Sequence, residues 1–439
     1  NKIELSHLNE TIIYERLPNG LEIYLLPNKN VNNFYISFCT KYGSLYNDFK
    51  RSTDKKYYHI PSGVAHFLEH TTFYMDGCDA SDMFSSLGSY SNAYTSFKVT
   101  NYNVFSYNKF KENLNLLLDF VQNPYYTEKN IKDEKGIICE EVKMYKDMPD
   151  TIAFFGLLQN MFHIDNVRNM VTGDVNDVKS TKLEDILASY NTFYHPSNMF
   201  VVITGNFNPD EALAIISENQ ISKKFEKPFK IDIKKKKEKA SVVKEKEIVK
   251  CNVEIDKVSI GIKVPLEELN NLKLSEEERN VYVSMILNAS FGRSSELREK
   301  LVSGNIITNG IFYDSFTTDD YLVINIISET PYPERYISII KDKIKNLNDI
   351  ENELTRKSRV AISSLIFSLD NIEVMNEMIV DNIVEFGHVV PNYYDIYKSL
   401  DLTKMKKASK IIAKSPMSVL ILTKKSIYFN GFFYFIYNF

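Results

Sequence analysis

Apolar residues recur along this chain with two different periods, and the switches between them mark out strands and helices. Residues 21–26 and 33–40 are short apolar runs that read as paired strands, and residues 199–205 read as a strand ending at a turn. Over 65–75 and 109–122 the apolar positions return instead at helical spacing. The stretches 258–264, 276–288, 321–328 and 333–347 repeat the theme as strand, helix, strand and helix. The Met and aromatic positions of 154–162 also have helical spacing and read as core. Between the two sets lies 222–250, where Phe225-Glu226-Lys227-Pro228 leads into Lys234-Lys235-Lys236-Lys237-Glu238-Lys239. A charged run with few apolar residues predicts a solvated connector rather than a nucleic-acid site. The chain thus divides into residues 1–221, a linker over 222–250, and residues 251–439. The predicted class is α+β, two related halves that each hold a mainly antiparallel sheet flanked by helices.

One helix changes the picture from architecture to chemistry. In His66-Phe67-Leu68-Glu69-His70 two imidazoles four residues apart sit one above the other, and Glu69 shares their face. Such a helix can offer two neutral nitrogen ligands with a carboxylate beside the ion, which zinc-assisted amide hydrolysis needs. The order H-x-x-E-H inverts the commoner H-E-x-x-H signature. The bland alternative is a pair of solvated or core-edge histidines. A catalytic zinc needs a third protein ligand and one open position. The stretch 134–145 is the place to look, since Ile137, Ile138, Val142 and Tyr145 recur at helical spacing and Glu134 and Glu141 share a face. Two turns put their backbones about 10 Å apart, so one carboxylate ligates while the other orients the ligands. Glu140 faces elsewhere. Physics alone also accommodates a solvated acidic helix face here.

These residues resemble a known family. The runs Gly63-Val64-Ala65-His66-Phe67-Leu68-Glu69-His70 and Ser91-Asn92-Ala93-Tyr94-Thr95-Ser96, together with 134–145, are similar to the inverted-zincin M16 (pitrilysin-type) metallopeptidases. Leu117-Leu118-Asp119-Phe120-Val121-Gln122-Asn123-Pro124 and Tyr190-Asn191-Thr192-Phe193-Tyr194-His195-Pro196-Ser197-Asn198-Met199 most resemble the small bacterial YmfH-like members, with mitochondrial processing peptidase more distant. The resemblance implies a LuxS/MPP-like metallohydrolase fold and a zinc endopeptidase with one Zn2+ per chain. It implies His66, His70 and Glu141 as ligands, Glu69 as the general base and Glu134 as the acid behind the ligands. Glu69 would take a proton from water and pass it to the leaving amine. Both histidines must be neutral to bind metal, so activity is expected to fade in acid.

Residues 91–99 read as a strand, and in the resembling enzymes the corresponding strand is an exposed edge. An edge can hold a peptide by β-augmentation, and Asn92, Ala93 and Thr95 are assigned to that contact. Without the resemblance the same stretch is an ordinary strand ending in a polar turn. In the second half Phe291-Gly292-Arg293-Ser294-Ser295-Glu296 resembles a helix start of the family's second domain, with Ser294 or Ser295 as N-cap. Arg298 and Tyr313 are the nearest equivalents of the Arg and Tyr that clamp the substrate carbonyl in many relatives, although residues 301–312 depart from that pattern. No H-x-x-E-H follows residue 70, so the first half alone is expected to carry the chemistry.

Composition narrows the function classes. A length of 439 residues with 44% hydrophobic residues suffices for two or three domains with sizeable cores. A net charge of −4 gives no electrostatic case for nucleic acid or a membrane surface. Cys39, Cys78, Cys139 and Cys251 are scattered without a C-x-x-C pair and read as thiols of a reducing compartment. The chain begins at Asn1 without a signal-like or membrane-spanning segment, and a bacterial cytoplasmic location is expected. His195-Pro196-Ser197-Asn198 reads as a structural turn, and His163 and His388 as packed or solvated. The aromatic stretch 426–439 reads as a closing strand or a tail packed on the core. The expected substrate is a peptide or unfolded segment enclosed between the halves, and a homodimer or a heterodimer with a related M16 chain is expected to complete the enclosure. The competing expectation is a non-catalytic or partner-dependent subunit of a processing or assembly complex.

Overall fold

The computed structural model describes residues 1–347 and 350–424, so the aromatic stretch 426–439 lies outside the described residues. The first sheet contains β1 (Lys2–Leu5), β2 (Glu10–Arg16), β3 (Glu22–Pro27), β4 (Phe34–Thr40), β5 (Tyr90–Thr95), β6 (Thr100–Ser106) and β7 (Met199–Gly205). Their spatial order is β1-β2-β3-β7-β4-β6-β5. The second sheet contains β8 (Lys246–Cys251), β9 (Lys257–Pro265), β10 (Phe312–Thr317), β11 (Tyr321–Glu329) and β12 (Met417–Lys424), ordered β8-β12-β9-β11-β10. In both sheets one pair is parallel, β3 with β7 and β8 with β12, and every other neighbour is antiparallel. Five strands of the first sheet, β3-β7-β4-β6-β5, therefore match the second sheet one for one. This is the expected α+β class with antiparallel-rich sheets.

The two early strands exist as expected but are not partners. β7 lies between them, with Val201 opposite Ile23 of β3 and Val202 opposite Ser37 of β4. All seven residues of β7 are buried, and a strand with apolar residues for two faces belongs in the middle of a sheet. The strand expected over 91–99 stops at Thr95, where a turn closed by Ser96 N–H donating to the Val99 carbonyl (2.8 Å) reverses the chain into β6. The helix expected over 65–75 ends at Thr72, and Tyr74–Met75 pairs with Cys78–Asp79 instead.

Helix α1 (Val64–Thr72) packs on one face of the first sheet with helices Phe110–Gln122 and Leu183–Phe193, around Ile36, Phe38, Val201 and Ile203. Helix α2 (Glu128–Asp147) joins this core through Ile131, Ile138 and Val142. The next helix leaves its own half. In α3 (Pro149–Met161), Leu157, Leu158 and Met161 pack against Val323, Leu420 and Leu422 of the second sheet. Helix α4 (Ile372–Phe386) makes the reciprocal move, laying Met375, Ile379, Val380 and Ile383 on Tyr24, Leu26, Phe200 and Val202 of the first sheet. Full burial of each such side chain is worth about 1.5–3 kcal/mol, so the exchange ties the halves firmly.

In the segment 222–250, expected to be a solvated connector, Lys234 to Lys237 and Lys239 are exposed, while other parts are built into the fold. Ile231–Ile233 pairs with Asp48–Arg51, and residues 246–251 are β8. The Glu238 side chain is only 1% exposed. Its carboxylate accepts the backbone N–H groups of His163, Ile164 and Asp165 at 2.9, 2.8 and 2.9 Å, and Lys263 at 2.9 Å. Lys263 is itself fully buried, donates to the Met161 and Lys239 carbonyls, and lies over the rings of Phe162 and Tyr321. Burial alone would raise the Glu238 pKa, but these four donors outweigh it and hold the carboxyl well below its ordinary range. A charge enters a core when its partners come with it. Among the described residues no helix is long and apolar enough to cross a membrane.

Candidate metal centre and active site

Two glycines set the position of α1. Gly63 and Gly173 have φ of +86° and +69°, and their backbones nearly touch. A Cβ on Gly63 would lie 2.2 Å from the Thr172 carbonyl oxygen, and one on Gly173 would lie 2.4 Å from that of Ser62. The start of α1 is thereby seated against residues 170–172, which wall a cavity of about 370 Å³. Val64, Phe67, Leu68, Thr71 and Thr72 bury the rest of the helix, which leaves His66, Glu69 and His70 on the stripe that faces the cavity.

Helix α2 starts at Thr127, whose hydroxyl accepts the Asn130 N–H at 3.1 Å. It brings two carboxylates to the histidines. His70 Nδ1 is 2.8 Å from Glu134 Oε1, and the Tyr74 hydroxyl donates to Glu134 Oε2 at 2.6 Å. With Nδ1 engaged, His70 Nε2 turns to Glu141 Oε2 at 3.4 Å, and His66 Nε2 lies 3.7 Å from Glu141 Oε1. One ligand-capable atom from each of His66, His70 and Glu141 falls within 4.8 Å of the others. Glu140 faces away and pairs with Lys143 on the exposed side.

The donor set fits a zinc ion. Glu141 Oε2 and His66 Nδ1 are buried without a hydrogen-bond partner among the described residues, which costs about 1–3 kcal/mol per group. Two imidazole nitrogens and one carboxylate oxygen with space beside them are the ligands of a catalytic zinc site, and the Glu134–His70 bond is the usual orienting contact behind such a ligand. Burial, reinforced by His70, holds His66 down to about 3 and therefore neutral. Burial also disfavours charge on His70, but the bond to Glu134 and the nearby Glu69 and Glu141 outweigh it and raise its pKa. Glu134 is lowered because His70 and Tyr74 overcome its burial. Glu69 is raised, chiefly by burial, although Thr95 donates to its carboxylate at 2.6 Å.

β5 is the terminal strand of its sheet, and its Ala93 and Thr95 line the cavity. Asn92 does not line it; its side-chain oxygen accepts the N–H of Ala93 at 2.9 Å. Beyond Tyr94 a larger cleft of about 1030 Å³ opens, walled by residues 96–99, by β10 and by α4, and so by both halves. Arg298 and Tyr313 are not brought to the metal cavity. The Arg298 guanidinium donates to the Arg293 carbonyl at 3.2 Å, and Tyr313 packs partly into the second core. Ser295 rather than Ser294 caps the helix Glu296–Ser303. His195 is structural, with its ring nitrogens at Ser197 Oγ and the Glu226 carbonyl.

Sequence reasoning did not single out the roles of Tyr74, Tyr145 or the loop 170–172. Tyr145 had a signal, since it stands one helical turn after Glu141, but it was counted as an apolar position. Tyr74 and residues 170–172 gave none, because their places depend on chain segments far apart in sequence.

Residues 54–175 match the family model described as insulinase (peptidase family M16), and residues 180–358 match the one described as the peptidase M16 inactive domain. His66, Glu69, His70, Glu134 and Glu141 all fall in the first match. The chain is 32% identical over 416 residues to the uncharacterized zinc protease YmfH of Bacillus subtilis, covering 93% of this chain and 95% of that one. It is 23% identical over 325 residues to the zinc protease PqqE of Helicobacter pylori, covering 71% and 68%. A solved structure described as an M16-like peptidase from Alicyclobacillus acidocaldarius superposes with a TM-score of 0.89 at 26% identity, covering 96% of this chain and 100% of that one. With a relative this similar along nearly its whole length, the chain belongs to peptidase family M16.

Proposed function

We propose that the chain is a zinc-dependent endopeptidase that hydrolyses peptides or unfolded segments held in the cleft between its halves. One observation carries this reading: His66, His70, Glu141 and Glu69 converge in a single cavity bordered by an open sheet edge. His66, His70 and Glu141 would hold one zinc ion, with Glu134 and Tyr74 fixing the His70 ring. Bound there, zinc supplies Lewis acidity at the scissile carbonyl and an acidified water. Glu69 accepts a proton from the attacking water and delivers it to the leaving nitrogen. Thr95 holds the Glu69 carboxylate from the strand that receives the peptide, so base and binding edge are fixed relative to one another. The peptide adds to β5 beside Asn92 and Ala93 through main-chain hydrogen bonds, which tolerates many sequences. A second M16 chain, identical or related, completes the enclosure.

The test is cleavage of a mixed library of unstructured peptides by the purified, zinc-loaded chain, with products read by mass spectrometry. Glu69→Gln is expected to keep its zinc and to lose about 10²–10⁴-fold in rate. Undiminished cleavage by the zinc-loaded variant would remove Glu69 from the role of base. No cleavage by the native chain with zinc bound would favour the non-catalytic or partner-dependent subunit.

A further inference from the structure

Hydrolysis of an amide places negative charge on the carbonyl oxygen, and the donors that could meet it can be counted on the cavity wall. Among the described residues that line it, none is Lys or Arg. Of the hydroxyls there, Tyr94 donates to Glu377 at 2.6 Å, Thr95 to Glu69 at 2.6 Å and Thr172 to the Gly173 carbonyl at 3.1 Å. Tyr145 and Thr151 also line it, and the partner of Tyr145 is Glu141, a residue that the peptidase reading gives to zinc. Thr151 lies in the first turn of α3, beyond the break between the two helices. Tyr145 is on α2 one turn after Glu141, and its hydroxyl stands beside the Glu141 carboxylate.

We propose that Tyr145 is a catalytic residue, whose hydroxyl donates a hydrogen bond to the scissile carbonyl oxygen as charge develops there, in the place where Arg298 and Tyr313 were expected. This inference rests on the peptidase reading above. When the water oxygen bonds to the carbonyl carbon, the π pair of C=O moves onto oxygen and Glu69 takes the water proton. When the C–N bond breaks, that pair re-forms C=O and the proton passes from Glu69 to the amine nitrogen. Tyr145 neither gains nor loses a proton in this sequence. Its bond strengthens only as the oxygen becomes negative, so it acts on kcat more than on substrate binding.

Tyr145→Phe removes only the hydroxyl of a half-buried ring and is expected to lower kcat about 100-fold with KM within about twofold. Affinity for a phosphinic peptide, whose tetrahedral phosphorus bears a charged oxygen, falls by a comparable factor. Zinc affinity, measured by competition with a chromogenic chelator, stays within about twofold of the native chain. An unchanged kcat in the variant, with the native chain cleaving in a Glu69-dependent way, overturns this inference alone. A loss of zinc affinity that matches the loss of kcat also overturns it, since Tyr145 would then only orient Glu141. Absence of Glu69-dependent cleavage by the native chain overturns the peptidase reading and this inference with it.

Discussion

Two helix crossings occupy equivalent places in the two halves. In the first, α1 meets α2; in the second, helix Glu276–Phe291 meets helix Glu351–Ser368. The first crossing gathers two imidazoles and two carboxylates, with one buried carboxylate oxygen, Glu141 Oε2, that lacks a hydrogen-bond partner among the described residues. The second holds Lys357, 3% exposed, whose ammonium donates to Asn288 Oδ1 at 2.8 Å and Ser294 Oγ at 3.0 Å. One crossing gathers donors that could hold a cation; the other carries a cation as a side chain. Helix Glu276–Phe291 is also buried on most of its surface, at Val281, Tyr282, Met285, Ile286 and Leu287 among others, so no stripe remains for a cavity like that beside α1. A duplicated architecture thus preserves a crossing in which polar groups meet, and residue identity decides whether that crossing offers a ligand set or closes on itself.

Removing a ligand should separate the crossings most sharply. Glu141→Gln is expected to weaken zinc binding by more than about 100-fold, and Glu134→Gln by about 10–100-fold, both read by chelator competition. Equal zinc affinity in the Glu141 variant and the native chain would refute the assignment. Lys263→Met leaves the Glu238 carboxylate buried with its backbone donors alone. It should cost about 3–5 kcal/mol in urea unfolding, with both halves destabilised together because the pair joins them. Acid should reach the same pair. Folding depresses the Glu238 pKa, so its contribution is complete above about pH 5, near the unfolded value, and is lost as pH falls toward the lower folded value. A Glu238→Gln chain should show a flatter stability profile in that window, and an equally steep one would assign the acid sensitivity to other carboxylates. Lys357→Met has the smallest expected effect, about 1–3 kcal/mol from stranding Asn288, since Arg356 still donates to Ser294 Oγ, with zinc affinity untouched. A change in zinc affinity there would break the separation between the two crossings.

What the sequence disclosed follows the range of the physics involved. His66, Glu69 and His70 are placed by helical spacing within five residues, and the shared face of Glu134 and Glu141 follows from the same rule. Most strands were visible because burial on one or both faces leaves a local apolar record. The insertion of β7 between β3 and β4 joins residues far apart in the chain, and no local pattern encodes a partner. Glu238 was hidden for a related reason. A window of lysines reads as solvated on average, while the residue that matters finds its partners at positions 163–165 and 263. Thr95 is assigned to main-chain contact along the edge strand, and no local pattern disclosed that its hydroxyl also serves Glu69.

The exchange of α3 and α4 has a consequence for biosynthesis. The last strand of the first sheet is complete at Gly205, but the helix that covers Leu26, Phe200 and Val202 ends at Phe386. At about 5–20 residues per second, a ribosome needs roughly 10–35 s to make the intervening chain. Throughout that interval the back of the nascent sheet is an uncovered apolar surface, so the first half reaches its final core only after Phe386 has been made.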